Sequence, residues 1–445
     1  MLSKFKQFLL LISDIIILYG SLLLTLDLRY GPQQFASKIS LHILPFSLIF
    51  IIWLIVFYIN DLYESKTLRN NLNFFKKFAI SLLINIFIAI AFFYLIPFFG
   101  IAPKTNLLIF IIVFGILEFA WRYFFNFFNI RSKSPENVLI ITSDQKNDLP
   151  EKLDEFLKIH AQFGFQIKLK IHENELTNAE NLSQIILKNN IKLIVIPAHL
   201  TEKIRLAKLI YKNLPLGIRV LNLSEFYENI FQKVPLTELE EAWFLENFIY
   251  KTGLYDMGKN ILDEIFALIA LIIFSPFFLI IFLIGKLTSL GPVIYKQIRI
   301  GKNEKEFTLY KFRTMRLDAE KNGAQWSQPG DNRVTKFGKF LRYTHLDELP
   351  QLVNVFKGNI SFVGPRPERP EFVKELKDQI PYYEIRHLTK PGITGWAQIN
   401  YRYGASVQDA VEKLQYDIFY IENRSIFLDL LIVLKTLKLF FVNQK

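Results

Sequence analysis

Four apolar runs crowd the first 130 residues of the chain, at 8–28, 41–59, 78–99 and 107–127. A helix needs about 20 apolar residues to cross ~30 Å of hydrocarbon, and each run is close to that length. Runs this long and unbroken do not suit the core of a soluble protein. Residues 1–130 are therefore expected to form a membrane α-helical bundle of four spans. Composition agrees: 51% of the chain is hydrophobic, and phenylalanine alone supplies 44 residues. Basic residues alternate between the two sides. Lys4 and Lys6 precede the first run, Lys66, Arg69, Lys76 and Lys77 separate the second from the third, and Arg131 and Lys133 follow the fourth. The other two connections hold only Arg29 and Lys38, then Lys104. By the positive-inside rule both ends of the bundle face the cytoplasm. Leu24-Thr25-Leu26-Asp27 is a poor cleavage site, so the first run is expected to be a retained helix. Asp14 and Glu118 fall within the spans but form no motif.

The net charge of +12 suits anionic lipid or phosphorylated substrates. Nucleic acid is not expected as a partner, since the chain lacks zinc-finger spacing, an RRM-like aromatic motif and a long Lys/Arg tract. The absence of cysteine excludes disulfides, thiolate catalysis and Cys-ligated metals. Six scattered histidines without an H-E-x-x-H pair argue against a zinc site.

Residues 135–235 change character. Buried-strand patterns at 138–142, 192–197 and 218–223 alternate with helix-like stretches such as 181–188 and 202–213, which predicts a parallel α/β domain. The first strand runs into Ser143-Asp144-Gln145-Lys146, where a nucleotide-binding turn would carry glycines. The expectation is a degenerate Rossmann-like domain acting as a structural or regulatory spacer.

A fifth apolar run, 261–285, is interrupted by Ser275-Pro276. Proline removes one backbone hydrogen bond and crowds the preceding turn, so a bend or break is expected there. Lys251 and Lys259 lie before the run, and Lys286, Lys296, Arg299 and Lys302 after it. Basic flanks on both sides predict a re-entrant helix that leaves on the face it entered. The terminal run, 426–442, carries Asp429, Lys435 and Lys438, and suits either an interfacial helix or an ordinary packed one.

Between them, residues 286–424 are polar and rich in Arg, Lys, Pro and Gly. Alternate residues of a strand share a face, so Lys311 and Arg313 are expected together, beside a shared anion such as phosphate or in solvent. Asp347 and Glu348 are adjacent acids in an apolar frame, with Arg342 five residues earlier. Pro350 fits only the first turn of a helix, which places Asp347 near a helix start. One carboxylate can then attack phosphorus while the other holds Mg²⁺; the plainer reading is a capped helix with exposed acids. In Val363-Gly-Pro-Arg-Pro367 the prolines restrict the backbone around Arg366, as in a phosphate grip or a rigid surface turn. In Pro391-Gly-Ile-Thr-Gly-Trp396 the glycines allow a sharp turn, and Trp396 is either a stacking face for a base or sugar or a core residue.

Order and spacing join these patterns. From about Lys251 onward the chain resembles the monotopic phosphoglycosyl transferases, which start lipid-linked glycan assembly in bacteria. The resemblance rests on Ser275-Pro276, Gly291-Pro292-Val293 with Gln297, Arg299 and Gly301, Lys311-Phe312-Arg313, the Leu346–Gln351 run LDELPQ, and the two Pro/Gly motifs above. Thr314 and Thr344 stand where serine is common, and His345 also sits in the acidic motif. The N-terminal half is similar to long-form members that initiate exopolysaccharide, capsule or O-antigen synthesis. The resemblance implies a mixed α/β catalytic domain over 251–445, with the hairpin at 261–285, bound to the cytoplasmic face of the bacterial inner membrane. It implies transfer of a hexose 1-phosphate from a UDP-sugar to polyprenyl (undecaprenyl) phosphate, with release of UMP. Asp347 would be the nucleophile and form a phosphosugar–aspartate intermediate. Glu348 would be a Mg²⁺ ligand, and Lys311, Arg313, Arg342 and Arg366 would hold phosphates. Gln297, Arg299, Trp396 and Gln398 are weaker candidates for substrate contacts. Glucose or galactose is the favoured sugar, and homo-oligomerisation stays open. A membrane-bound nucleotide-sensing regulator is the alternative class, and the missing glycines argue against it.

Overall fold

The computed structural model describes residues 2–64, 67–95, 104–131, 135–144, 147–248, 253–288, 291–319, 331–401, 404 and 406–441. Lys66, Lys133, Lys251, the turn residues Gln145 and Lys146, and the end of the third apolar run at 96–99 lie outside them. Two compact units divide the chain at Asn222/Leu223. Among the described residues, four helices are long and apolar enough to cross a membrane: Lys6–Ile59, Leu72–Leu95, Thr105–Phe128 and Tyr255–Thr288.

The first unit opens with α1 (Leu2–Ile59), α2 (Leu72–Leu95) and α3 (Lys104–Arg131). The first two expected spans both lie in α1, with helix continuing where a loop was expected. A straight helix of 58 residues would far exceed a bilayer. The break is a single residue, Gly31, at φ 66 and ψ 173, followed by Pro32. A left-handed glycine ends one helix and a proline begins the next. The two arms pack together: Leu10, Leu18, Leu22 and Leu26 share a core with Phe46, Ile49, Phe50, Trp53 and Phe57. Tyr19 and Ser47 hydroxyls meet at 2.7 Å. Stacked phenylalanines, such as Phe110 on Phe114, fill the space between helices.

This apolar core also contains a fully buried charge cluster. Arg122 donates through Nε to Glu118 at 2.7 Å, through Nη1 to the Leu62 carbonyl at 2.8 Å, and through Nη2 to Asp14. Tyr63 also donates to Asp14, at 2.5 Å. Asp14 and Glu118, which formed no sequence motif, are brought together by this one guanidinium.

The α/β part follows as β1 (Glu136–Thr142), α4 (Leu149–Ile159), β2 (Phe165–His172), α5 (Ala179–Lys188), β3 (Ile191–Ile196), α6 (Ala198–Thr201), α7 (Ile204–Asn213) and β4 (Arg219–Asn222). The sheet is parallel, in the order β2-β1-β3-β4. The three expected strands are β1, β3 and β4. Sequence reading missed β2, an edge strand whose Gln166, Lys168 and Lys170 are exposed, and α4, whose buried Leu149, Leu153 and Leu157 are diluted by charged neighbours. At the carboxyl ends of β1 and β3, Ser143 and His199 side chains meet at 2.8 Å.

The second unit comprises α8 (Leu223–Phe231), α9 (Glu241–Phe248), α10 (Gly253–Thr288), β5 (Ile294–Ile300), β6 (Glu306–Phe312), α11 (Lys336–Tyr343), α12 (Gln351–Phe356), β7 (Ser361–Val363), α13 (Pro370–Gln379), β8 (Gly392–Thr394), α14 (Trp396–Asn400), α15 (Val407–Asn423) and α16 (Ile426–Phe441). α10 remains helical through Ser275-Pro276. Pro276 has no N–H for the carbonyl four residues back, that of Ile272. The Ser275 hydroxyl donates to that same oxygen at 2.8 Å, so a group freed by the proline is satisfied locally. The apolar stretch of α10 packs into two clusters of its unit. Ala267 packs with Leu309, Val355 and Ile360, and Ile281 with Val293, Phe312 and Leu341.

α16 combines features of both expectations for the C-terminal run. Ile432 is buried with Val363, Trp396, Tyr420 and Ile421, while Phe427 is 86% exposed. Asp429 accepts from Lys259, Tyr255 and Tyr420 and ties α16 to α10 and α15.

β7 and β8 pair in parallel, and here the glycines are used for close approach. A Cβ on Gly364 would overlap the Lys390 carbonyl, one on Gly392 the Gly364 amide, and one on Gly395 the Gly364 carbonyl. None of the three has positive φ. The expected sharp turn is instead backbone pressed on backbone, which locks the two Pro/Gly motifs together.

Candidate active site

Lys311 is the penultimate residue of β6, paired across the β5–β6 ribbon with Tyr295. Behind it, α12 is pinned to β6 by Asn354, which is fully buried. Its side chain donates to the Thr308 carbonyl at 2.7 Å and accepts from the Tyr310 amide at 3.0 Å. These bonds fix the register between β6 and the acidic motif. Sequence reading passed over Asn354, although a polar residue among Leu352, Val353 and Val355 was the available signal.

Asp347 and Glu348 lie in a short 3-10 turn, Leu346–Glu348. The chain enters through His345 at φ 54, a left-handed conformation uncommon outside glycine, and leaves through Pro350 at the N-cap of α12. The acids share one turn but differ in surroundings. Glu348 Oε1 accepts from Lys311 Nζ at 2.7 Å and Arg366 Nη2 at 3.0 Å. Burial pushes the Glu348 carboxyl up, but the two cations outweigh it and hold the group well below the usual range. Asp347 is 8% exposed. Burial pushes its carboxyl up, and Lys311, Arg342 and His345 only partly offset that and the repulsion from Glu348. Burial likewise lowers Lys311, with Glu348 opposing.

Lys311, Asp347, Glu348 and Arg366 therefore form one cluster. Arg342 borders it, its Nε donating to the buried Thr314 hydroxyl at 2.9 Å. The Thr344 hydroxyl is engaged with its own helix, at the Phe340 carbonyl 2.9 Å away. Arg313 stands apart from Lys311. β6 ends at Phe312, so the shared-face rule lapses, and Arg313 lies against Gly291 in a small cleft with Gly285, Thr288 and Thr335. Lys311 itself faces the chain's own carboxylate, Glu348, where an anion shared with Arg313, such as phosphate, or solvent was expected.

Three of the weaker candidates sit in the framework. Arg299 donates to the Pro367 carbonyl at 2.9 Å and to Gln297 Oε1 at 2.6 Å, which places both residues beneath the Arg366 loop. Trp396 is 3% exposed, stacks on Phe419 and donates to the Gln232 carbonyl at 2.9 Å. It is a core residue, with no face left for a base or sugar. The fourth, Gln398, donates to the Ile393 carbonyl at 3.1 Å, within the β8 turn.

A metal can be accommodated only with help from substrate. Among the described residues no three His, Asp or Glu side chains cluster for one. Glu348 uses Oε1 for both cations, and Asp347 is its chain neighbour. Mg²⁺ typically takes one or two carboxylates and completes its shell with waters and phosphate oxygens, so this donor set fits it.

Outside this cluster, in the segment Tyr383–Leu388, lies His387, 7% exposed, whose Nδ1 is 3.6 Å from Glu304. Burial first, then the Arg386 charge, pushes it down to about 4. Protonation is thus disfavoured in the fold. The stability this confers is present above the ordinary histidine range and is lost as pH falls toward 4. The melting temperature of the full chain should drop between pH 7 and pH 5, and His387→Asn should flatten that slope. An equal slope in both proteins would assign the loss to other groups.

A family model described as bacterial sugar transferase matches residues 254–443. The chain is 41% identical over 221 residues to a UDP-N-acetylgalactosamine-undecaprenyl-phosphate N-acetylgalactosaminephosphotransferase of Aeromonas hydrophila, covering 50% of this chain and 52% of that protein. It is 35% identical over 267 residues to a UDP-glucose:undecaprenyl-phosphate glucose-1-phosphate transferase of Klebsiella pneumoniae, covering 58% of this chain and 56% of that one. With an uncharacterized sugar transferase of Bacillus subtilis it shares 40% identity over 190 residues, 42% of this chain and 88% of the relative. The chain thus spans about half the length of the first two relatives and most of the third.

Proposed function

The chain belongs to the bacterial sugar transferase family, and on that premise we propose that it transfers a hexose 1-phosphate from a UDP-sugar to undecaprenyl phosphate, releasing UMP. The observation that carries this reading is the divergence of two adjacent carboxylates. Glu348 is clamped by Lys311 and Arg366 and stays ionised, whereas Asp347 is buried beside it and raised. Titratable neighbours pushed apart by their surroundings mark separate chemical roles.

Asp347 is the nucleophile. Its carboxylate oxygen forms a bond to the sugar-bearing phosphorus, and the phosphoanhydride bond to UMP breaks, UMP leaving with the electron pair. The phosphate oxygen of the lipid then attacks the same phosphorus and displaces Asp347 as a carboxylate. A covalent intermediate of this kind gives ping-pong kinetics. Lys311 and Arg366 fix Glu348 and carry positive charge to the pyrophosphate, and Arg342 adds to it from the Thr314 side. Mg²⁺, held by Glu348 and substrate phosphates, would supply charge neutralisation at the pyrophosphate. Arg313, near the end of α10, is a candidate for the lipid phosphate.

The placement of α10 supports a re-entrant course. Its contacts at Ala267 and Ile281 are both with one polar unit, and the stretch between them, 268–280, makes only ~20 Å of helix. That is about two thirds of the ~30 Å needed to cross. The tip, including the exposed Ile272, Ile273 and Phe277, would enter one leaflet and return. With the basic flanks, such a course would set the site at the headgroups of the cytoplasmic face. The bundle at 1–130 would anchor the chain, the α/β domain at 135–235 would act as a degenerate Rossmann-like spacer, and 251–445 would carry catalysis.

The test uses purified full chain in lipid nanodiscs with undecaprenyl phosphate, Mg²⁺ and a panel of UDP-sugars. UMP release with one of them is expected, glucose or galactose being the favoured sugars. Release of UDP, or no turnover with any donor, overturns the reading.

A further inference from the structure

Arg366 reaches Glu348 from a loop that cannot hold itself. Pro365 and Pro367 lack N–H groups, so the loop has few donors of its own. Its four successive carbonyls, 365 to 368, are instead each held from outside. The Pro365 oxygen accepts from the Gly392 amide at 2.9 Å and the Glu368 oxygen from the Ile300 amide at 3.0 Å. The Pro367 oxygen accepts from Arg299 Nη1 at 2.9 Å. The oxygen of Arg366 itself accepts from Arg386 Nη2 at 3.0 Å.

Arg386 is an unusual donor for that purpose. It lies in the 3-10 segment Tyr383–Leu388 and is 6% exposed. Nη2 also lies 2.9 Å from Asp417 of α15, which is 1% exposed, and Nη1 donates to the buried Tyr383 hydroxyl. A carbonyl needs only a neutral donor. Burying a guanidinium and a carboxylate to reach one costs desolvation that their attraction does not reliably repay. What this arrangement provides is geometry: a planar fork of donors, fixed on one side by Asp417 and Tyr383, that presses on one backbone oxygen.

We propose that Arg386 is a positioning residue. Anchored by Asp417 and Tyr383, it fixes the Arg366 carbonyl and thereby sets the Arg366 guanidinium on Glu348. The proposal rests on the transfer reaction inferred above, and couples α15 to the acidic motif through one buried side chain.

Arg386→Lys keeps the charge beside Asp417 but loses the fork. It should lower kcat about 100-fold, the scale of a ~1 Å misplacement, with KM for the UDP-sugar little changed. In an Arg366→Ala background the same substitution should have almost no further effect on kcat, because the group it positions is gone. An equal loss in both backgrounds would mean general damage to the fold and overturns the proposal. Should Arg386→Lys not melt cooperatively, Asp417→Asn replaces it in the same cycle, keeping the guanidinium and removing only its charged anchor. Hydrogen exchange across 361–369 gives a readout independent of turnover. It should quicken in Arg386→Lys, and unchanged exchange there sinks the positioning role. If the wild-type chain releases no UMP, the transfer reading fails, and exchange alone decides whether Arg386 holds the loop.

Discussion

Asp347→Asn should abolish UMP release, by at least about 1,000-fold, as expected when a covalent nucleophile is removed, and leave the fold as stable as before or more so. The second half of this expectation follows from the sign of the electrostatics. Burial raises the Asp347 carboxyl above its ordinary range. A group raised in the folded state contributes stability below its unfolded pKa and loses that contribution as pH rises through the folded value. At neutral pH its charge therefore weighs against the fold, and a neutral side chain of the same shape removes that cost. Glu348→Gln should behave differently. Glu348 is held low by Lys311 and Arg366, so its charge favours the fold at neutral pH, and glutamine leaves two half-buried cations without their carboxylate. Activity and melting temperature should fall together there, whereas in Asp347→Asn they should part. The acid limb of the wild-type rate profile should also lie above the ordinary aspartate range, because attack needs the ionised form. Turnover retained in Asp347→Asn would remove Asp347 from the nucleophile's role, and a melting temperature lowered as far as in Glu348→Gln would overturn the contrast between the two carboxyls.

The legible parts of this chain were those where chemistry is written along the backbone. Long apolar runs imply membrane helices whatever else surrounds them, and Pro350 marked a helix start because proline tolerates few other positions. Val138–Ile141 read as strand because the parallel sheet buries both faces. Tertiary contacts explain what was missed. Residues 29–40 read as a loop because they are less apolar, yet Gly31 alone makes the turn and helix continues on both sides of it. Trp396 could be stacking platform or core by residue type alone, and only the packing of Phe419 and the Gln232 carbonyl decides it. Lys311 and Arg313 obey a strand rule that ends one residue too early. Arg386 sits in a polar stretch that reads as exposed. Its partners at 366 and 417 are distant in sequence, and no local pattern reports their approach.

The buried cluster in the membrane bundle carries the largest expected effect on stability. Arg122→Leu leaves Asp14 and Glu118 in an apolar core without their shared cation, with Tyr63 still donating to Asp14. Breaking a buried ion pair by removing one partner costs about 3–5 kcal/mol, against a total stability on the order of 5–15 kcal/mol for a domain. The variant should fail to accumulate as a monodisperse species in detergent. Arg122→Lys should rescue it only in part. Arg122 uses Nε, Nη1 and Nη2 for three separate acceptors, including the Leu62 carbonyl, and an ammonium cannot span the same fork. The decisive comparison is the triple change Asp14→Asn, Glu118→Gln, Arg122→Met. It removes every charge at once, so no ion is left uncompensated, and the bundle should recover most of its thermal stability, since neutral replacement of a whole buried network is often tolerated. Size-exclusion profiles and melting curves of the four proteins provide the measurement. If Arg122→Leu melts like the wild type, the cluster has solvent access and does not hold the bundle together. If the triple variant is as damaged as Arg122→Leu, the network supplies specific geometry beyond charge compensation, and the argument from desolvation fails.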